Sequence, residues 1–377
     1  MKTVFSEINS QRLLDLTKAA LHGTNPDENL FVDATEADWD ELFEQSLAQG
    51  VMALSLNGAM RLPNTLQKIA FPVKLRWVAS VEAVEKHYRH CMETAMELSA
   101  LFRKNNIPML LFKGVALSRL YPVPASREFG DIDISFCGKS EEGNAILERF
   151  AVKKRSITKK HSNFFYKGIL IESHHNFIGN KSFQHSEYLE MQLMALLTEA
   201  GIPNETFLAE SGQTVEPLLF PPPDFDALFV TLHTFSHMSS RIVLRQLCDL
   251  TVIFTAYKGK IDFTLYRNTL SKAGLLKLAD AFISLSVKYL GLNPEYAPPY
   301  ESDLSLEKRI WDDLLNPEIC AFPIEKRSLL NIIIYKIKLL RSRYWKSELV
   351  FPGQYGKKII FSILFHLRFP KTITKLF

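Results

Sequence analysis

The chain has 377 residues, of which 47% are hydrophobic and 23% charged, values that exclude a disordered or fibrous protein. The length allows two or three domains, or one large α/β unit with helical additions. The net charge of +4 is uneven, because residues 326–377 carry twelve Lys and Arg against one Glu and the rest of the chain is therefore acidic.

The cysteines predict a reducing compartment. Cys91, Cys137, Cys248 and Cys320 stand far apart and form no CxxC pair, so we expect them to be reduced, as in a cytoplasmic protein. The first residues, MKTVFSEINSQRLLDL, lack the apolar stretch of a signal peptide. No apolar run approaches the roughly 18 to 20 residues of a spanning helix. We therefore predict a cytoplasmic protein.

Residues 1–100 are predicted to form an N-terminal helical region. The stretch TEADWDELFEQSLAQGVMALSL starts with Thr35 and has Asp38 three residues later, which is a capping-box pattern. Apolar residues then recur at intervals of three and four, as in one amphipathic helix. They are Trp39, Leu42, Phe43, Leu47, Val51 and Leu54. A long helix is also predicted over about residues 73–105, which contain no Pro or Gly.

Residues 101–180 are predicted to form a compact α/β core. The run IPMLLFK indicates a strand that ends at Gly114, and VALSRLYP a short helix stopped by prolines. DIDISF indicates a second strand, and KSEEGNAILERF a helix. HSNFFYKGILIESHH is typical of a β-hairpin that turns at Lys167 and Gly168.

Residues 181–300 are predicted to form a C-terminal helical domain. SEYLEMQLMALLTEA, DFDALFVTLHTFSHMSSRIVLRQLCDLTVIFTAY and TLYRNTLSKAGLLKLADAFISLSVKYLGL each show helical character. His233 and His237 have the spacing of a metal-binding pair, but no third ligand is nearby, so helix packing or a contact with the core is favoured. Arg245 and Asp249 are placed for an ion pair, and either could face a cleft.

The strand DIDISF raises a question about charge, because it carries Asp131 and Asp133 separated by one isoleucine. Alternate residues of a strand point to one side, about 6.5 to 7 Å apart at Cα, so both carboxylates share a face while Ile132 and Ile134 face the core. Two like charges at this distance repel unless a cation lies between them. Mg²⁺ prefers such oxygens, although a solvated strand face is the alternative.

Three neighbours favour the cation. Glu172 in the hairpin would add a third carboxylate, as a two-metal site for phosphoryl transfer requires. Gly114, between a strand and a helix, would let backbone N–H groups approach a phosphate beside the charge of Lys113. Arg127, four residues before Asp131, could reach a triphosphate or pair with that aspartate.

The order of these elements resembles that of a known protein family. LLFKGVALSRLYPVPASREFGDIDISF, followed by ILIESHH, resembles the nucleotidyltransferase core of the DNA polymerase beta superfamily. More narrowly, about residues 35–290 resemble a bacterial family of uncharacterised nucleotidyltransferases, with its KG turn, YP, Arg and D-hydrophobic-D strand. The resemblance implies an α+β fold, in which a small mixed-sheet nucleotidyltransferase core is flanked by N-terminal and C-terminal helical regions.

The resemblance also implies a reaction, the transfer of a nucleoside monophosphate from a nucleoside triphosphate to an acceptor that the sequence does not identify. Mg²⁺ or Mn²⁺ would be the cofactor. The implied metal ligands and catalytic carboxylates are Asp131, Asp133 and Glu172; the nucleotide-binding residues are Lys113, Gly114 and Arg127; and His174 would support the site. Val115 departs from the superfamily, which has Gly or Ser after the first glycine.

Two other functions compete with this hypothesis. A nucleotide-binding or scaffold protein with a catalytically weak site would account for Val115. A glycosyltransferase also uses a DxD pair to hold Mn²⁺ and a sugar nucleotide, but its fold places a long αβ region before the pair, where this chain has predicted helices.

Residues 301–377 are predicted to form a basic amphipathic tail. Segment 326–377 mixes its cations with aromatic residues such as Tyr335 and Trp345. Three interpretations are open: a helix packed on the acidic body, a segment that lies on an anionic membrane surface, or a contact with nucleic acid through phosphates and stacked bases. The second would make the protein peripheral to the membrane.

Overall fold

The computed structural model describes residues 5–63, 69–150, 153–157, 161–179, 182–199, 204–206, 217–316, 329–353 and 356. These residues form thirteen α-helices and one seven-stranded mixed sheet. The protein therefore has the mixed α+β fold that the sequence predicts, with helices before and after a central sheet.

Four helices precede the sheet. They are α1 (Glu7–His22), α2 (Glu36–Gln49), α3 (Met52–Ala59) and α4 (Phe71–Lys104). The strands are β1 (Leu110–Phe112), β2 (Asp131–Ser135), β3 (Lys153–Ile157), β4 (His161–Tyr166), β5 (Ile169–His174), β6 (Asn204–Thr206) and β7 (Pro217–Leu219). Between strands lie α5 (Gly114–Ser118), α6 (Ser140–Phe150) and α7 (Ser186–Glu199). The remaining helices are α8 (Pro223–Ser236), α9 (Leu244–Ala256), α10 (Phe263–Lys272), α11 (Leu276–Leu290), α12 (Leu304–Leu315) and α13 (Leu329–Val350).

Helix α2 begins with the predicted capping box. The Asp38 backbone N–H donates to Thr35 Oγ1 at 3.3 Å, and the Thr35 backbone N–H donates to Asp38 Oδ2 at 2.8 Å. Each side chain thus satisfies a backbone donor that has no partner within the helix. The box fixes where α2 starts.

Removing this cap tests its contribution to stability. Thr35→Ala is expected to lower the free energy of unfolding by about 1 kcal/mol, because one helix-terminal N–H loses its acceptor. Thr35 is exposed, so the substitution opens no cavity. Urea unfolding followed by circular dichroism measures the change. Thr35→Ser keeps the hydroxyl and should match the wild type; equal loss in both variants would contradict a role for the cap.

The predicted single helix after Thr35 is wrong in one respect, because it is broken at Gly50. Gly50 takes the left-handed conformation (φ 65°) and ends α2, while α3 restarts at Met52. Glycine adopts this conformation without a Cβ clash. The break changes the buried face: Leu47 is 49% exposed, whereas Val51 and Leu54 are buried.

The sheet has the strand order β3-β4-β5-β2-β1-β7-β6. β2 pairs parallel with β5 and antiparallel with β1, and the hairpin β4–β5 is antiparallel. Its turn has positive φ at Lys167 and Gly168, as a two-residue hairpin loop requires. The sequence pattern did not reveal β3, β6 or β7, because two of them have three residues and none shows clear alternation.

The two faces of the sheet border different cores. On one face, the second half of α4 and helix α6 cover Ile132, Ile134 and Ile171, all fully buried. On the other face, Phe112 joins a larger core built from helices of both chain ends. Gln49 of α2 donates to the Leu314 carbonyl at 2.9 Å and accepts from the Leu244 backbone N–H at 2.8 Å. The helices that flank the sheet in sequence therefore pack together in space.

The first part of the basic tail packs on the body. Lys346 of α13 is 4% exposed and pairs with Asp313 at 2.9 Å, and the Arg309 guanidinium lies over the Trp345 ring at 4.3 Å. Residues 317–328, 354–355 and 357–377, which include much of that tail and Cys320, lie outside the described residues. No helix in the described ranges is long and apolar enough to cross a membrane.

Candidate active site

Three carboxylates converge on the sheet face that borders the larger core. Asp133 is in register with Glu172 on the neighbouring parallel strand, and Asp131 lies two residues before Asp133, so all three side chains point to the same side. One carboxylate oxygen from each lies within 4.8 Å of the others. The register of β2 with β5, rather than spacing along the chain, brings Glu172 to the pair.

Asp133 is the most buried of the three and has two charged or polar neighbours. Lys113 Nζ donates to its Oδ1 at 2.6 Å, and His174 Nε2 lies 2.7 Å from the same oxygen. Burial by itself would raise the pKa of Asp133, but the Lys113 ammonium and His174 together hold it below its usual value. Asp133 is therefore ionised at neutral pH.

The pKa values of Asp131 and Glu172 shift in opposite directions. Burial, followed by the charge of Asp133, raises the pKa of Asp131 to about 6. His174, whose Nε2 lies 3.6 Å from Glu172 Oε2, lowers the pKa of Glu172. The single ammonium of Lys113 thus leaves the negative charge at Asp131 incompletely compensated.

The Lys113–Gly114 turn lies beside this group. Lys113 has positive φ (53°), which is uncommon outside glycine, and Gly114 begins the short helix α5. A Cβ on Gly114 would lie 3.1 Å from the Phe129 ring, so the glycine permits a close approach. Burial would lower the pKa of Lys113, but the charge of Asp133 raises it.

Arg127 is held in a buried ion pair with Asp249 of α9. Its Nε donates to Asp249 Oδ1 at 2.7 Å and its Nη2 to Oδ2 at 2.8 Å, while Tyr121 Oη also donates to Oδ1 at 2.7 Å. Asp131, one of the two partners predicted for Arg127, is not its partner. The predicted Arg245–Asp249 pair is wrong as well, because Arg245 Nη1 donates instead to the Glu128 carbonyl at 2.9 Å.

A cavity of about 560 Å³ separates the carboxylates from helices α8 and α9. All the predicted carboxylates line it, as do Lys113, Gly114 and Arg127. Polar and charged residues from α8, α9 and the segment between them line the same cavity. They are His233, Thr234, His237, Arg241, Arg245, Gln246 and Asp249.

The helical side of the cavity depends on a break that the sequence pattern missed. The stretch from Asp224 was predicted as one continuous helix, but α8 ends at Ser236 and α9 starts at Leu244. Ser236 Oγ donates to the His233 carbonyl and Ser240 Oγ to the His237 carbonyl, and such bonds compete with helix continuation. Arg241, which had not been predicted to face the site, lies in this segment.

The residues fit a hard divalent cation. Three carboxylates supply only oxygen donors, which Mg²⁺ and Mn²⁺ prefer. Burial and then the charge of Asp133 raise the pKa of Asp131, and a bound cation would offset both effects. Asp131 and Glu172 are partly exposed to the cavity, so water or phosphate oxygens could complete the coordination.

Comparison with known proteins yields a family and one structural neighbour. The sequence profile described as "Uncharacterised nucleotidyltransferase" matches residues 35–291. A crystal structure of an antigenic nucleotidyltransferase-like protein from Paracoccidioides brasiliensis is 12% identical and covers 53% of this chain and 92% of its own, with a TM-score of 0.34. No curated protein matches the sequence significantly.

Proposed function

The chain belongs to the uncharacterised nucleotidyltransferase family, and on that premise we propose that it transfers a nucleoside monophosphate from a nucleoside triphosphate to an acceptor. An acceptor oxygen would attack the α-phosphorus, the bond from that phosphorus to the bridging oxygen would break, and pyrophosphate would leave. The observation that carries the proposal is the convergence of Asp131, Asp133 and Glu172 on one wall of the cavity.

Each carboxylate has a role in this proposal. Asp131, Asp133 and Glu172 would hold Mg²⁺ or Mn²⁺, which supplies charge neutralisation to the phosphates. Glu172, whose pKa is lowered by His174, stays ionised and would orient the acceptor hydroxyl by accepting its hydrogen bond. Lys113 fixes Asp133 through their 2.6 Å contact. Fixed geometry is the main requirement of this reaction, because aligning an in-line displacement removes much of its barrier.

Two arginines would supply positive charge for the phosphates. Arg241 and Arg245 line the same cavity as the carboxylates, and guanidinium groups match phosphate oxygens in geometry and charge. Lys113, Gly114 and Arg127 line the same cavity, and we propose that they lie beside the phosphates of the bound nucleotide.

Arg241→Gln is expected to weaken binding of a nucleoside triphosphate by at least about tenfold, since a charge-assisted hydrogen bond contributes about 1.5–3 kcal/mol. Arg61→Gln is the matched control. Both arginines are exposed and each donates one 3.0 Å hydrogen bond to a backbone carbonyl, of Ala48 for Arg241 and of Gly23 for Arg61. Isothermal titration measures the affinities. Equal affinities in the two variants would remove Arg241 from the nucleotide site.

Nucleotide binding by the full chain is the direct test of the proposal. Purified protein is titrated with ATP, GTP, CTP and UTP in the presence of Mg²⁺ or Mn²⁺, and the titration is repeated with Asp131→Ala combined with Asp133→Ala. We expect metal-dependent binding of at least one triphosphate and its loss in the double variant. Absence of binding to every triphosphate contradicts the proposal.

The same titration discriminates the competing functions. Preference for UDP-glucose or GDP-mannose over every triphosphate would indicate the glycosyltransferase. Binding of a triphosphate that releases no pyrophosphate with any acceptor tried, in a separate pyrophosphate assay, would indicate a nucleotide-binding or scaffold protein. Convergence of the carboxylates supports the transferase over a protein with a weakened site, because holding three like charges together costs free energy unless a cation compensates them.

A further inference from the structure

A second group of metal-ligating side chains lies on the same face of the sheet, one strand further from β2. His161 of β4 is in register with His174 of β5, and Glu172 lies two residues before His174. Register partners and alternate residues share a face, so the three side chains point the same way. One ligand atom from each lies within 4.8 Å of the others.

The two imidazoles approach opposite oxygens of one carboxylate. His161 Nε2 lies 3.9 Å from Glu172 Oε1, and His174 Nε2 lies 3.6 Å from Glu172 Oε2. With metal–ligand bonds of about 2.0–2.1 Å, donor atoms around a tetrahedral ion are about 3.3 Å apart. Side-chain movements of about half an ångström would therefore bring the three donors into coordination.

His174 is buried, whereas His161 and Glu172 are partly exposed to solvent. His174 is 1% exposed and packs edge-to-face on Phe112, with ring centroids 4.9 Å apart. Its Nε2, the nitrogen that lies near Glu172, is also 2.7 Å from Asp133 Oδ1, so an ion bound at Nε2 would take the place of that contact. Its Nδ1 has no hydrogen-bond partner among the described residues. The side chains of His161 and Glu172 are 23% and 17% exposed, which leaves an ion a path from solvent.

We propose that His161, Glu172 and His174 bind a transition-metal ion such as Zn²⁺ or Co²⁺, at a site that shares Glu172 with the carboxylate group but does not include Asp131 or Asp133. Two imidazoles and one carboxylate favour such ions over Mg²⁺ and leave further coordination positions open. His161 has no part in the proposed nucleotidyl transfer, so the inference does not rest on that function. Glu172 belongs to both groups, and an ion bound here competes for its oxygens.

Cobalt binding tests the site, because the visible absorption of Co²⁺ becomes stronger when the ion leaves octahedral water coordination for a protein site with fewer ligands, and the His161 variants show whether an imidazole is among them. The full chain is titrated with Co²⁺ in excess Mg²⁺, without nucleotide. We expect one bound Co²⁺ with visible bands in the wild type. His161→Ala and the larger His161→Gln should each weaken its affinity by more than about tenfold, since loss of even an outer-shell partner costs that much, and should abolish the bands.

Two controls locate the ion. His185→Ala removes an exposed histidine elsewhere and should leave the titration unchanged. Asp131→Asn alters the carboxylate group without touching the proposed ligands and should also leave it unchanged. Wild-type affinity and bands in both His161 variants would overturn the inference, and so would loss of the bands in Asp131→Asn.

Thermal melting of each variant verifies its fold, and Zn²⁺ should raise the melting temperature of the wild type but not of His161→Gln.

Discussion

Asp131→Asn is expected to lower the affinity for a metal–triphosphate complex by at least about 100-fold. The substitution removes one of three carboxylates proposed to hold the cation, and loss of even an outer-shell partner costs about 10–100-fold in metal affinity. Asp131 has the pKa raised to about 6 and forms no ion pair with a described residue. It is therefore the carboxylate whose loss disturbs the fold least.

Stability and binding should change in different directions in this variant. Burial and the charge of Asp133 raise the pKa of Asp131, so its ionised form is less favourable in the folded chain than in the unfolded chain. This penalty is present once the pH rises above the pKa of about 6, and the neutral amide removes it. Asp131→Asn should consequently melt at or above the wild-type temperature at pH 7.5.

Titration with each triphosphate and Mn²⁺ measures the binding, and Asp312→Asn is the matched control. Asp312 is an exposed aspartate whose partner is Lys308 at 2.9 Å, on the surface of α12. This control should bind nucleotide as the wild type does. Wild-type affinity in Asp131→Asn would contradict the proposed metal site, while a lowered melting temperature would show that Asp131 has a structural role instead.

Arg127→Met is expected to lower the free energy of unfolding by about 3–5 kcal/mol. Arg127 and Asp249 are 7% and 5% exposed and form two parallel hydrogen bonds. Removing the guanidinium leaves the Asp249 carboxylate buried without its cation, which is the costly way to break such a pair. Arg127→Lys keeps a charge but loses the planar fork, so its loss of stability should be smaller.

A double substitution separates the energy of the Arg127–Asp249 ion pair from the cost of losing either side chain. Arg127→Met with Asp249→Leu replaces both charges by apolar groups and should recover at least half of the lost stability, because no buried charge is left alone. Urea unfolding of the wild type, both single variants and the double variant gives the coupling energy. Additive losses would contradict a strong pair.

The nucleotide affinity of the folded double variant then tests whether Arg127 also contacts a phosphate of the nucleotide. A tenfold or larger loss would support a contact between Arg127 and phosphate. Unchanged affinity would limit Arg127 to holding the loop before β2 against α9.

Local patterns predicted much of the fold. The capping box at Thr35, the uninterrupted helix from Phe71 to Lys104 and the hairpin turn at Lys167 are all present, because each depends on residues adjacent in the chain. The missed features depend on competition between conformations or on pairing with distant strands. The break before Leu244 and the three-residue strand β7 are examples, since neither has a periodic pattern that a sequence window could reveal.

Local sequence was enough to identify residue types that could bind a metal and phosphate and to place Asp131 and Asp133 on one face, because side-chain alternation along a strand is a local rule. The partners of these residues follow from tertiary packing. The register of β2 with β5 brings Glu172 beside Asp133, and the packing of α9 assigns Arg127 to Asp249. The contacts of His174 with Asp133 and of Arg127 with Asp249 join residues 41 and 122 positions apart. They form when both cores are buried together, and no short segment of sequence contains that information.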